Sequence, residues 1–206
     1  MKKVIIFLTI ISVSLLGAVN ILAQNKQDVL IRNATVMTAT KGTLENTDIL
    51  IKNGKISRIG KNLPAGNAQI IDASGMFVTP GIIDAHSHAM LDSINEGSYS
   101  VTSMTRIRDV LDPTDVTIYQ ALGGGVTAAN LLHGSANPIG GLNTVVKFKY
   151  GRSVDEFVIA NAPSGIKFAM GENVKRSNFN PPGNTARRYP ATRMGTMEVI
   201  RETFVA

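Results

Sequence analysis

Apolar and polar residues alternate along the first third of the chain, which predicts a series of short β-strands. The predicted strands lie over residues 28–38, 48–59 (a hairpin), 68–72 and 76–79. Asn53-Gly54 stands between the two halves of the hairpin, and this pair is typical of a type I′ turn. The pattern predicts a small β-sandwich domain over residues 24–79, whose role we interpret as structural.

From residue 80 onwards, short apolar strands alternate with helical segments. Asp112 as N-cap and Pro113 at the first helical position predict the start of a helix, and Gly123-Gly124-Gly125 predicts its end. A buried strand over 126–132 follows, so the region predicts a βαβ unit. Further strands are predicted over 143–150 and 166–170, a helix over 196–206, and a pocket-shaping loop over 89–112. Ser153 with Glu156 allows either a short helix or a strand over 153–159.

Two histidines end the strand that opens this second region. His86 and His88 have a spacing of two residues, which places both side chains on one face of an extended chain. On a helix the same spacing would turn the rings about 200° apart, and they would not bind one ion. The Pro80-Gly81 turn and the β-branched Ile82-Ile83 favour the extended conformation.

The run Pro80-Gly-Ile-Ile-Asp-Ala-His-Ser-His88 resembles the motif that ends the first barrel strand in the amidohydrolase superfamily, in particular its imidazolonepropionase-like and related secreted members. The likeness extends from about Asp28 to the last residue. It implies an α/β fold, with the first strands of a (β/α)8 TIM barrel over residues 80–206. It also implies a hydrolase of C–N bonds in amides, cyclic amides or peptide-like small molecules. The water would be activated by one or two divalent metal ions, with zinc as the expected ion.

The resemblance also implies the metal ligands. His86 and His88 would supply two of them, and a lysine (as its carbamate) or a glutamate from a later strand would add another. Lys167 and Glu172 are the candidates, and we favour Glu172 because it follows the carboxyl end of the predicted strand over 166–170. The alternative for Glu172 is a loop carboxylate that pairs with a neighbouring lysine or arginine, namely Lys175 or Arg176.

His133 follows the second strand of the βαβ unit, at the end where a barrel carries its active site. It is interpreted either as a substrate-binding residue or as a plain loop histidine. The glycine-rich stretch 134–141 allows an anion-binding loop or simple turns. It lacks the Gly-Lys-Ser/Thr ending of a phosphate loop, so nucleotide binding is not supported.

The first 23 residues predict a secretory signal peptide. Lys2-Lys3 precedes an apolar run over 4–18, and Ala23 offers a cleavage site, although an uncleaved membrane anchor is the alternative. We therefore expect a secreted or periplasmic protein without membrane association after cleavage. The chain has no Cys, which excludes disulfides and thiolate chemistry. The chain has a net charge of +6 but shows no recognisable nucleic-acid-binding module, so nucleic acid is not expected as a partner.

Length limits the functional prediction. Residues 81–206 amount to about half of the roughly 250 residues that a barrel needs. The resemblance also calls for further histidines and for a general-base aspartate, which we expect beyond residue 206. We therefore expect an N-terminal piece of a longer hydrolase, inactive by itself, that acts on a small-molecule substrate; homo-oligomerisation stays open. The alternative is a non-catalytic β-sandwich and half-barrel with a relic metal pair.

Overall fold

The computed structural model describes residues 27–175 and 188–205, and the predicted signal peptide over 1–23 lies outside them. The described residues form two compact units, of which the first ends at Pro80 and the second begins at Gly81. Within the described ranges, every helix is too short or too polar to cross a membrane.

The first unit is a single mixed sheet. Its strands are β1 (Val29–Met37), β2 (Thr43–Lys52), β3 (Lys55–Gly60), β4 (Gln69–Asp72) and β5 (Phe77–Val78). The order is β3-β2-β1-β4, and β5 also pairs with β1. Asn53 (φ 51°) and Gly54 (φ 75°) both have positive φ, so the predicted type I′ hairpin is confirmed. Residues 27–80 contain no second sheet packed on this one, so the β-sandwich stays a prediction.

A buried carboxylate holds an irregular part of this sheet. The pairing of β1 with β2 shifts register after Ile31, where Asn33 has a φ of 61°. Asp48 on β2 is only 2% exposed, and its two oxygens accept hydrogen bonds from the backbone N–H groups of Asn33 and Leu63, each at 2.9 Å. Asp48 therefore accepts from two backbone N–H groups that have no strand partner, one in the bulge of β1 and one in the loop after β3.

We expect Asp48→Ala to lower the free energy of unfolding of the first unit by about 1–3 kcal/mol, since two buried N–H groups lose their acceptors. Urea denaturation followed by circular dichroism measures the change. The matched control is Asp72→Ala, because Asp72 is exposed and its main hydrogen bonds are those within its own turn to Ser74, with a smaller one to the side chain of Asn33. An equal loss in both variants would contradict the role given to Asp48.

The second unit combines small sheets with short helices. Its elements are β6 (Ile82–Ser87), a 3-10 helix (Ile107–Val110), α1 (Val116–Gly123), β7 (Val126–Leu131), β8 (Ile139–Leu142), β9 (Thr144–Lys147), α2 (Val154–Phe157), β10 (Ile166–Phe168), α3 (Glu172–Lys175) and α4 (Arg193–Val205). β6 and β7 pair in parallel with α1 between them in sequence, so the predicted βαβ unit is confirmed. Ile118 of α1 packs with Leu131 of β7 and Val146 of β9 in the core.

The structure corrects the predicted start of helix α1 and decides between helix and strand for the segment after Ser153. The helix begins at Val116 and not at Pro113, because the Asp112 carboxylate accepts bonds from the N–H and hydroxyl of Thr114 and closes a turn. Asp115 is the N-cap instead, and it accepts from the backbone N–H of Thr117. The segment after Ser153 is the short helix α2, with a capping box formed by Ser153 and Glu156.

The strand directions depart from those of an all-parallel sheet. β9 runs antiparallel to β7, and β10 runs antiparallel to β8. The α/β class is confirmed, whereas the partial TIM barrel is not established by these strands, because a barrel of this type needs parallel neighbours throughout.

Candidate active site

The two histidines of the sequence motif come together at the carboxyl end of β6. Their ring centroids are 5.1 Å apart and the ring planes are nearly perpendicular, at 80°. The Nδ1 atom of His88 lies 2.9 Å from the carbonyl oxygen of Leu132, at the end of the neighbouring strand β7. Because a carbonyl oxygen can only accept, Nδ1 carries the hydrogen and donates the hydrogen bond. In the neutral ring the lone pair is then on Nε2. A histidine that binds a metal is commonly held by such a bond to a carbonyl group.

Lys167 of β10 is the residue that the fold brings to this pair. Its Nζ atom lies 3.1 Å from Nε2 of His86, and the residue is 8% exposed. Burial lowers the pKa of the Lys167 ammonium. The pKa of His86 is also lowered, first by partial desolvation and then by the positive charge of Lys167 and the neighbouring His88. Both effects favour neutral nitrogen atoms at this place.

Glu172, which the sequence analysis favours, is not brought to the histidine pair. Strand β10 ends at Phe168, and Glu172 opens helix α3, where its carboxylate lies 2.5 Å from Nζ of Lys175. Residues 27–175 and 188–205 contain no group of three or more His, Asp or Glu side chains placed to hold a metal. The salt bridge that the sequence analysis gives as the alternative for Glu172 is therefore what the fold shows.

His133 is buried, at 3% exposed, and both of its ring nitrogens have partners. Nε2 accepts from the backbone N–H of Glu96 at 2.8 Å, and Nδ1 lies 2.9 Å from the carbonyl oxygen of Gly134. Burial is the main cause that lowers the pKa of His133. These contacts favour the loop-histidine interpretation over direct substrate binding.

The glycine-rich stretch after His133 serves close packing. Residues 139–142 form the buried strand β8, and a Cβ atom on Gly140 would lie 2.7 Å from Nδ1 of His133. A Cβ atom on Gly141 would lie 2.5 Å from the hydroxyl oxygen of Thr105. Any larger residue would displace these neighbours, so the contacts explain the glycines without an anion.

A cavity of about 410 Å³ lies beside His133, between two parts of the loop over 89–112. Its walls include Glu96 and Asn95 on one side and Met104 and Ile107 on the other. The pocket that the long loop predicts is therefore present.

Comparisons of the sequence and of the structure with known proteins both find proteins named amidohydrolase or D-hydantoinase. No protein-family model matches the chain. The chain is 35% identical over 179 residues to the amidohydrolase tasK of Hapsidospora irregularis, with 76% of this chain and 18% of the relative covered. It is 49% identical over 59 residues to a D-hydantoinase of Geobacillus stearothermophilus, with 29% of this chain and 12% of the relative covered.

The structure resembles that of an amidohydrolase from Thermotoga maritima MSB8, with a TM-score of 0.72 and 38% identity. The match covers 85% of this chain and 46% of the other. The chain belongs to the amidohydrolase superfamily. It spans less than half the length of each of these three relatives.

The donor chemistry of this amidohydrolase chain fits part of a divalent-metal site. His86 and His88 are adjacent imidazoles, and the environment of His86 favours its neutral form, which is the form that binds a metal. A protonated Lys167 does not fit beside a cation, whereas its neutral amine does. The two imidazoles of His86 and His88, with the amine of Lys167 that could form a carbamate, are consistent with the metal site that the superfamily resemblance implies.

We expect Lys167→Met to raise the pKa of His86, because the variant removes a positive charge at 3.1 Å while keeping an apolar side chain. Desolvation and His88 continue to lower this pKa in the variant, and Asp84 continues to raise it. A pH titration followed by NMR is simple in a chain with three histidines. Lys175→Met is the charge-matched control, and an unchanged His86 pKa in Lys167→Met would contradict the contact.

We expect the second unit to lose stability as the pH falls below about 6.5, the ordinary pKa of histidine. The pKa of His133 is lowered in the folded state, so the unfolded chain takes up this proton first. The stability that the fold gains from the neutral ring of His133 is complete above pH 6.5. It is lost as the pH falls through the pKa of His133 in the folded protein. Urea denaturation between pH 8 and pH 4.5 measures the slope.

The matched variant for this pH profile is His133→Gln, because glutamine can accept from Glu96 and does not titrate. Below pH 6.5, the free energy of unfolding of this variant should fall less steeply with pH than that of the wild type. The difference is the contribution of the one proton that His133 would take up. Identical slopes in the two proteins would show that His133 does not cause the loss.

Proposed function

We propose that this chain supplies the metal-binding end of a metal-dependent amidohydrolase that hydrolyses a C–N bond in an amide, cyclic amide or peptide-like small molecule. The observation that carries the proposal is the contact of His86 with His88 at the end of β6 and with Lys167 of β10, a strand of another small sheet. The relatives named amidohydrolase and D-hydantoinase support the reaction class. They do not favour the alternative of a non-catalytic protein with a relic pair of histidines.

The proposal includes the architecture and location that the resemblance implies. β6 and β7 would be the first two strands of a (β/α)8 barrel, supported by their parallel βαβ connection and by the likeness to the Thermotoga maritima amidohydrolase. The predicted secretory signal over residues 1–23 supports a secreted or periplasmic enzyme. The general-base aspartate is expected beyond residue 206, outside this sequence.

Each residue of the site has a separate task in this proposal. The carbonyl oxygen of Leu132 accepts from Nδ1 of His88, so that the lone pair of the neutral ring is on Nε2. Lys167 lowers the pKa of His86 and helps to keep its ring neutral. A bound divalent ion, with zinc as the expected one, would supply Lewis acidity toward water and the scissile carbonyl group.

Lys167 replaces Glu172 as the proposed third ligand. Its lowered pKa increases the fraction of neutral amine, and a neutral amine reacts with CO₂ to form a carbamate and release one proton. The carbamate carries a negative charge and two oxygen donors, which suits a divalent cation. The superfamily resemblance implies either this modification of a lysine or a glutamate ligand, and the contact of Lys167 with His86 at 3.1 Å supports the lysine.

We expect the chain to bind Zn²⁺ and the variant that combines His86→Ala with His88→Ala to bind it at least tenfold more weakly. Isothermal titration with Zn²⁺ alone measures both affinities. His133→Gln is the matched control, because both ring nitrogens of His133 are bound within the protein. Equal Zn²⁺ affinity in the wild type and the double variant would refute the metal site.

The reaction class needs its own assay. The native gene product, purified from its own cells, should hydrolyse at least one member of a panel of cyclic amides, N-acyl amino acids and dipeptides. Chelation should abolish the turnover, and Zn²⁺ should restore it. Turnover that persists after complete chelation would contradict the metal-dependent mechanism.

A further inference from the structure

A single arginine joins two loops on the active-site side of the second unit. The guanidinium group of Arg188 donates hydrogen bonds to four oxygen atoms in residues 97–99 and 136–137. The acceptors are the carbonyl oxygens of Gly97, Tyr99 (2.8 Å) and Ala136 (2.6 Å) and the side-chain oxygen of Asn137 (2.9 Å). Arg188 is therefore bound to two chain segments that lie about forty residues apart in sequence.

The two loops are also bonded to each other through a buried amide. Asn137 is fully buried, and its Nδ2 atom lies 2.6 Å from the carbonyl oxygen of Glu96 and 2.6 Å from the hydroxyl of Thr102. Its Oδ1 atom accepts from Arg188. Both ends of the amide thus have partners, and the orientation of Asn137 depends on the arginine.

The same loops set the hydrogen bonds of two histidines. The backbone N–H of Glu96 donates to Nε2 of His133, and the carbonyl oxygen of Gly134 accepts at Nδ1 of the same ring. Two residues before Gly134, the carbonyl oxygen of Leu132 accepts from His88. The tautomers of both histidines therefore depend on backbone atoms whose loops Arg188 holds together.

We infer that Arg188 is a positioning residue, which fixes the tautomers of His133 and His88 by clamping the loop that carries Glu96 to the loop that follows Leu132. The four hydrogen bonds described above go to atoms of these loops and not to the histidine rings. The consequence for metal binding rests on the proposed function, whereas the effect on the histidines does not. Lysine cannot replace Arg188, because one ammonium group lacks the planar fork that reaches four separated oxygens.

The test compares Arg188→Lys with the matched control Arg201→Lys. Arg201 lies on the exposed surface of α4, where it pairs with Glu198. Both changes conserve the charge, and only the first acts on the loops. Three measurements are made on the full chain: hydrogen exchange of backbone amides, the ¹⁵N shifts of the three histidine rings, and the affinity for Zn²⁺.

For Arg188→Lys we expect the Glu96 amide to exchange at least tenfold faster, while the amides of β7 exchange as in the wild type. The ¹⁵N shifts of His133 and His88 should change from single tautomers toward mixtures. The affinity for Zn²⁺ should fall by about 10-fold to 100-fold, the usual range when the residues that support a metal ligand are changed. Arg201→Lys should match the wild type in all three measurements.

Two results would overturn the inference. One is wild-type exchange at Glu96 together with unchanged histidine shifts in Arg188→Lys. The other is faster exchange of all amides in the second unit, β7 included, which would show a general loss of stability without specific positioning. A wild-type chain that does not bind Zn²⁺ would refute the proposed function alone, because the histidine shifts would still report the role of Arg188.

Discussion

The hydrogen bond between His88 and the carbonyl oxygen of Leu132 is the contact on which the site depends. It exists because β6 and β7 are parallel neighbours, so that their carboxyl ends reach the same edge of the sheet. The core residues Ile118 and Leu131 pack α1 against β7, and the pairing of β6 with β7 resumes at Ser87 and Leu131, next to the two bonded residues. Packing in the interior of the unit thus determines the orientation of a ring at its surface.

Burial and positive charge act in the same direction across this site. The pKa values of His86, His133 and Lys167 are all lowered, with desolvation as the largest cause in each case. His86 and Lys167 are neighbouring nitrogen bases, and both favour their neutral forms. Neutral nitrogen atoms are what the proposed divalent ion would need at this place.

Local sequence patterns predicted most strands, the Asn53-Gly54 turn and the extended His-x-His pair, because each depends on residues within a few positions of one another. They did not predict β8 (Ile139–Leu142), most of which lies in the glycine-rich stretch interpreted as a loop or turns. The prediction of Asp112 as the N-cap was wrong, because Asp112 bonds to Thr114 within a turn and Asp115 caps the helix. The preference for Glu172 over Lys167 depended on a strand that reaches residue 170, whereas β10 ends at Phe168 and Glu172 opens α3.

Long-range contacts are the other part that the sequence did not reveal. Arg188 bonds to residues about ninety positions before it, and its own neighbourhood contains only turn-forming and polar residues. The antiparallel direction of β9 is likewise a property of the pairing and not of the strand. His88 and His133 follow the ends of adjacent parallel strands, yet the described contacts occupy one ring nitrogen of His88 and both of His133. Both are histidines just past a strand end, His88 by one residue and His133 by two, so the loop contacts separate a histidine with a ring nitrogen available for a ligand from one that supports the fold.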